Sequence, residues 1–95
     1  VRIAETTLNS IRSNVQDMAP ESECYLFGSR VDDRARGGDI DLMLLTREKL
    51  PMQLIRRLRR LILNQIGEQK LDIVNFTRES SHPFKAVALE NAVRL

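Results

Sequence analysis

The stretch from Leu26 to Leu42 constrains this chain more than any other. Leu26-Phe27 runs into Gly28-Ser29, an arginine-bearing loop follows, and Gly37-Gly38 releases the chain into Asp39-Ile40-Asp41-Leu42. Side chains two apart on a strand point the same way, so Asp39 and Asp41 are predicted to project from one face, about 6–7 Å apart at their Cα atoms. Carboxylates that close repel each other unless a cation or a shared proton lies between them. A strand otherwise filled by Leu42, Met43, Leu44 and Leu45 has no packing reason to carry them. The pair reads as a divalent-cation site, with Gly28-Ser29 as a phosphate cradle beside it. Glycine lets the backbone approach an anion without a Cβ in the way, and Ser29 offers its hydroxyl and backbone N–H. Arg30 adjoins Ser29 and is the loop arginine placed to meet a phosphate. Arg34 and Arg36 read as solvated charges offset by Asp32 and Asp33. Taken alone, Gly28-Ser29 reads as a β-turn with a serine cap, and it is the Asp-x-Asp on the next strand that favours the phosphate cradle.

A third carboxylate interrupts another apolar run, Leu71-Asp72-Ile73-Val74-Asn75-Phe76. On a strand, Leu71 and Ile73 face opposite to Asp72. A buried, unpaired carboxylate costs several kcal/mol, so Asp72 needs a cation, an arginine or a hydrogen-bond network beside it. By itself it reads as a strand-edge residue facing solvent. If its strand neighbours the Asp39–Asp41 strand, three carboxylates share one place.

The remaining segments read as packing elements. Ala4, Leu8, Ile11, Val15 and Met18 recur at helical spacing, predicting an amphipathic helix over residues 1–18 that Pro20 ends. Glu23 to Phe27 predicts a buried strand, and Asp39 to Thr46 a central one. Pro51 stands at the start of a helix running to about Gln65, closed by Gly67, with Leu54, Ile55, Leu58, Leu61, Ile62 and Ile66 as its apolar stripe. Arg56, Arg57, Arg59 and Arg60 fill its other face, which reads as solvated. His82-Pro83 opens a last helix expected from Phe84 to Val93 and packed through Val87, Ala88 and Leu89. His82, the single histidine, reads as an exposed cap rather than a base.

Ninety-five residues predict one domain over 1–95. Hydrophobic residues at 42% and charged residues at 29% argue against disorder. A net charge of only +2 does not mark a nucleic-acid binder, and 4% aromatics with no Trp argue against the stacking platforms of single-strand binders. Cys24, the one cysteine, forms no internal disulfide and reads as a small core residue, which suits a reducing, cytoplasmic setting. No apolar run reaches the ~20 residues of a membrane span, and no signal-peptide pattern opens the chain.

Gly28-Ser29, a nine-residue spacer, Asp39-Ile40-Asp41 and a later strand aspartate, Asp72, together resemble the DNA polymerase β-like nucleotidyltransferase superfamily. Within it the chain is similar to the minimal nucleotidyltransferases, small domains like the catalytic half of the kanamycin nucleotidyltransferases. The spacer is one residue shorter than the commonest version. The resemblance implies an α+β fold, a small mixed β-sheet with helices packed on one face. It also implies that Gly28, Ser29 and Arg30 bind the phosphates of ATP or another nucleoside triphosphate. Asp39, Asp41 and Asp72 would then be both the catalytic residues and the ligands of two Mg²⁺ ions. Members of this branch often act as antitoxins of a helical HEPN-type partner, some by transferring AMP to it. The implied function is Mg²⁺-dependent transfer of AMP to an acceptor hydroxyl, with a partner protein as one acceptor. The alternative is a catalytically weak antitoxin acting by contact alone, and a basic nucleic-acid module on the Arg56–Arg60 face is a third reading.

Overall fold

The computed structural model describes residues 3–28, 39–67 and 69–95. Its elements run α1 (Glu5–Met18), β1 (Glu23–Phe27), β2 (Ile40–Thr46), α2 (Met52–Ile66), β3 (Leu71–Thr77), α3 (Pro83–Leu89) and β4 (Val93–Arg94). The four strands form one mixed sheet in the order β3-β2-β1-β4. β1 pairs antiparallel with both β2 and β4, whereas β2 and β3 pair in parallel. A parallel pair needs a long crossover, and α2 supplies it.

The alternation along the strands sorts the sheet into two faces. Cys24 and Leu26 of β1, Ile40, Leu42 and Leu44 of β2 and Leu71 of β3 join Ile11 and Val15 of α1 and Ile55, Leu58 and Ile62 of α2 in one aliphatic core. Met43 and Leu45 point to the opposite face and are buried as well, which is why β2 reads as an uninterrupted apolar run. Burial pushes the Cys24 thiol up to about 12, so the cysteine serves packing rather than chemistry.

The helix stripes are apolar with one departure. α1 buries Leu8, Ile11 and Val15, but also Thr7, Ser10 and Asn14. Two of these polar groups bond across the helix pair: Ser10 Oγ donates to Gln65 Oε1 at 2.6 Å, and Asn14 Nδ2 donates to the same oxygen at 3.0 Å. α1 begins at Glu5, with Ala4 as its exposed cap residue, later than the apolar spacing suggests. Gly67 ends α2 with φ +89 and its N–H on Leu63 O, as expected of a C-terminal glycine.

The C-terminal segment departs most from the sequence reading. α3 stops at Leu89 rather than reaching Val93, and Val93–Arg94 turns back to pair with Tyr25 and Leu26. Val87, expected to pack, is 65% exposed. Phe84 makes the contact instead, edge-on to Phe27 with ring centroids 5.9 Å apart. His82 caps this helix, its Nδ1 accepting from Phe84 N at 3.1 Å.

Asn75 fastens the end of β2 to the entry of α2. Its Oδ1 accepts from Leu50 N at 2.7 Å, and its Nδ2 donates to Leu44 O and Thr46 Oγ1, both at 3.0 Å. Asn75→Leu strands these buried groups, so it is expected to lower the unfolding free energy by about 1–3 kcal/mol in urea denaturation. Unchanged stability would show the network to be dispensable.

Candidate functional site

Asp41 and Asp72 stand directly opposite each other in the parallel β2–β3 register, and Phe27 stands opposite Asp41 on its other side. Directly paired residues on neighbouring strands share a face, so both carboxylates leave the sheet on the side away from α1 and α2, about 4.8 Å apart at the backbone. Asp39 lies just before β2, beside Lys70: the next residue, Ile40, donates its N–H to Lys70 O at 2.9 Å. Lys70 Nζ lies 3.6 Å from Asp39 Oδ2. The three sequence-predicted acidic residues therefore line one end of one face. Ser29 and Arg30, the other predicted site residues, lie outside the described residues.

Electrostatics register the crowding at the middle carboxylate. Burial first, then the negative charges of Asp72 and Asp39, raise the pKa of Asp41 above its ordinary 3.8, with Lys70 opposing. Asp72 is exposed and Asp41 half-buried, which sets the two in different solvent environments on adjacent strands. Among the described residues, no group of three His, Cys, Asp or Glu side chains is gathered closely enough to hold a metal ion. The acidic side chains share a face without closing into a cage.

Gly28 meets Asp41 where β1 ends. Its φ is +79, and a Cβ there would overlap Asp41 Oδ2 and stand 3.3 Å from Asp41 Cγ. Any other residue would be strained and would push the carboxylate aside. The glycine thus makes room for Asp41, a demand that its place in a Gly-Ser turn did not reveal.

Two neighbours of the site escaped the sequence reading. Lys70 precedes Asp72 by two residues, so strand parity alone would have put it on the same side. Arg59, read as part of a solvated face, turns its Nε onto Leu71 O at 2.7 Å and holds the start of β3 next to Asp72.

A mixed sheet backed by two helices, with strand aspartates at one end of its open face, is the architecture of a nucleotidyltransferase domain. The sequence profile of the family described as polymerase beta, nucleotidyltransferase, matches residues 9–95, and the chain belongs to that family. Among curated proteins none matches it significantly. Solved structures share its fold. A chain in the complex of the tri-AMPylated HEPN toxin of Shewanella oneidensis with its MNT antitoxin is 21% identical, with a TM-score of 0.71 over 93% of this chain and 67% of that one. A chain of the MntA–HpeT toxin–antitoxin, in a variant with two aspartates changed to glutamate, is 20% identical, with a TM-score of 0.73 over 90% and 69%. A toxin–antitoxin structure with AMP-PNP gives 23% identity and a TM-score of 0.73 over 90% and 69%. Among the described residues no helix is long and apolar enough to cross a membrane.

Two outcomes follow for the protein without ligand. Because the native pKa of Asp41 is raised, ionisation costs the native state stability above that pKa, and acidification through it towards 3.8 restores the loss. Asp41→Asn should therefore raise Tm at pH 7 by about 1–4 °C, a modest effect because the group is partly solvated, and the gain should shrink as the pH falls. A lower Tm at pH 7 would show that the carboxylate is favourably paired. Gly28→Ala should cost about 1–2 kcal/mol for its left-handed backbone, and more with Asp41 present than in an Asp41→Ala background, as a double-mutant cycle would read.

Proposed function

We propose that the chain transfers a nucleoside monophosphate, AMP from ATP, to an acceptor hydroxyl on a helical HEPN-type partner, using Mg²⁺. The observation that carries this reading is the Asp41–Asp72 register beside Gly28, in a chain of nucleotidyltransferase family. The AMP-PNP held by one structural relative and the AMPylated toxin beside another support the nucleotide and the acceptor class.

Asp39, Asp41 and Asp72 would hold the cations. They supply hard carboxylate oxygens on one face, and the raised pKa of Asp41 marks a place where added positive charge is favourable. When bound, the cations would supply the charge that a phosphoryl centre needs while its negative charge redistributes. Gly28 would let the triphosphate approach the end of β1, and Ser29 and Arg30, next in sequence, would donate hydrogen bonds to its β- and γ-oxygens. Asp72, the more exposed carboxylate, would accept a hydrogen bond from the acceptor hydroxyl and orient its oxygen toward the α-phosphorus. The O–P bond forms to the acceptor as its hydroxyl proton passes to the Asp72 carboxylate, the bond from the α-phosphorus to its bridging oxygen breaks, and pyrophosphate leaves. In this account the protein contributes position and electrostatics.

A second reading is a family member that neutralises its partner by contact without turnover. Ligand linkage separates the two. Mg²⁺ with ATP at about 100-fold over Kd should stabilise the protein by about 2.7 kcal/mol, read as a rise in Tm, and the Asp39→Asn, Asp41→Asn double variant should abolish it. With the partner present, pyrophosphate release and a partner mass increased by AMP are expected. A tight partner complex with neither would establish contact alone. Salt-dependent nucleic-acid binding lost on changing Arg56, Arg57 and Arg60 to Ala, with the aspartates intact, would favour the basic-face reading instead.

A further inference from the structure

The aromatic residues of this chain are segregated onto the carboxylate face. The core against α1 and α2 is wholly aliphatic, apart from Cys24. Tyr25 and Phe27 of β1 and Phe76 of β3 occupy positions of the opposite parity, and Phe84 of α3 completes the set, so all three phenylalanines and the one tyrosine are there. Packing accounts for part of the choice, since Phe84 holds α3 on Phe27 and Phe76, yet Phe84 keeps much of its ring outside those contacts.

The rings are unequally engaged. Phe76 has His82 at 5.3 Å between centroids and Lys49 Nζ 5.8 Å from its own. Phe27 takes Phe84 edge-to-face, at 79° between planes. Phe84 keeps 44% of its surface exposed, and Val87, one turn along the same helix, keeps 65%. Phe27 is the backbone partner of Asp41, so one strand spacing, about 4.8 Å, and then 5.9 Å between rings lead from the acidic pair to the exposed ring.

We infer that Phe84, braced by Phe27, is the stacking platform for the base of the nucleoside triphosphate whose phosphates lie at Gly28 and the aspartates. This rests on the reading of that site as a nucleotide site. A half-exposed aromatic ring next to a phosphate-binding end suits a ligand that joins a flat ring to a polyanion. Stacking on an aromatic face tolerates any base, so the platform holds the nucleoside without choosing between purines. The proposed reaction thereby gains a positioning surface: stacking at Phe84 fixes the nucleoside and so orients the α-phosphorus toward Asp72.

The test compares Mg²⁺–ATP with Mg²⁺–tripolyphosphate, which has the charge and no base, by calorimetric titration. Phe84→Ala and Phe84→Leu should weaken ATP about tenfold, Phe84→Trp should keep it, and tripolyphosphate should bind all three as it binds the parent chain. GTP should follow ATP. Val87→Ala, which removes apolar surface without a ring, should leave both ligands unchanged. Equal loss of ATP and tripolyphosphate in Phe84→Leu would overturn the inference, because the ring would then be shaping the fold. Unchanged ATP affinity in Phe84→Leu would also overturn it and leave the ring as a face for a partner protein. If tripolyphosphate fails to bind the parent chain, the phosphate site itself is wrong and the platform falls with it. Loss confined to the base-bearing ligand has neither of those meanings.

Discussion

The parallel register of β2 on β3 is the constraint on which the arrangement depends. It sets Asp41 against Asp72, Leu42 against Ile73 and Leu44 against Asn75 in a single alignment. A shift by one residue would turn Asp72 of β3 into the aliphatic core and bring its core residues out. The cost of burying an ionised carboxylate there forbids that slip. The packing of Leu42, Leu44 and Leu71 under α2 therefore fixes the geometry of the acidic face above it. Arg59 on Leu71 O and Asn75 on Leu50 N pin the strand at its two ends.

The sheet divides labour between its faces. One is aliphatic and closed by α1 and α2, with Ser10 and Asn14 bonded to Gln65 across the helix pair. The other gathers the carboxylates, Lys70 and every aromatic ring. Glu23 sits at its far end, bonded to Arg78 at 2.6 Å and to Tyr25 Oη at 3.0 Å, and those bonds hold its carboxyl below the usual range. Two acidic centres on one face thus carry opposite electrostatic signatures. Glu23 accepts from Arg78 Nε and Tyr25 Oη, whereas Asp41 is pressed by burial and by its own kind, with Lys70 opposing among the described residues. The latter pattern suits a place that receives a cation and a polyanion together.

Much of this was legible in the residues because alternation and helical spacing report burial directly. Asp-Ile-Asp inside Leu42–Leu45, the Asp72 interruption and the Gly67 stop each stand where local chemistry alone would put them. The partnership of β2 with β3 was conditional, since pairing is non-local and no spacing encodes it. The two-residue β4 was invisible: it has no periodicity of its own and exists because β1 offers an edge. α3 misled for a related reason. Its Val87 matches an apolar stripe but is exposed, and Phe84 meets Phe27 and Phe76 of the sheet instead. The buried Ser10 and Asn14 of α1 likewise make sense only once Gln65 of α2 is opposite them. Ser29 and Arg30 lie outside the described residues, so their part stays with the reading of the site.

The central claim is that a cation and the phosphates of a nucleotide meet at the Asp41–Asp72 end of this sheet. Paramagnetic broadening of backbone amide resonances by Mn²⁺ with AMP-PNP tests it most directly. The account predicts loss of signal centred on Gly28, Asp39, Asp41 and Asp72, absent when Asp41 is changed to Asn. Broadening centred on Glu21, Glu48 or Glu79 at the opposite end of the sheet, or unchanged by that substitution, would contradict it.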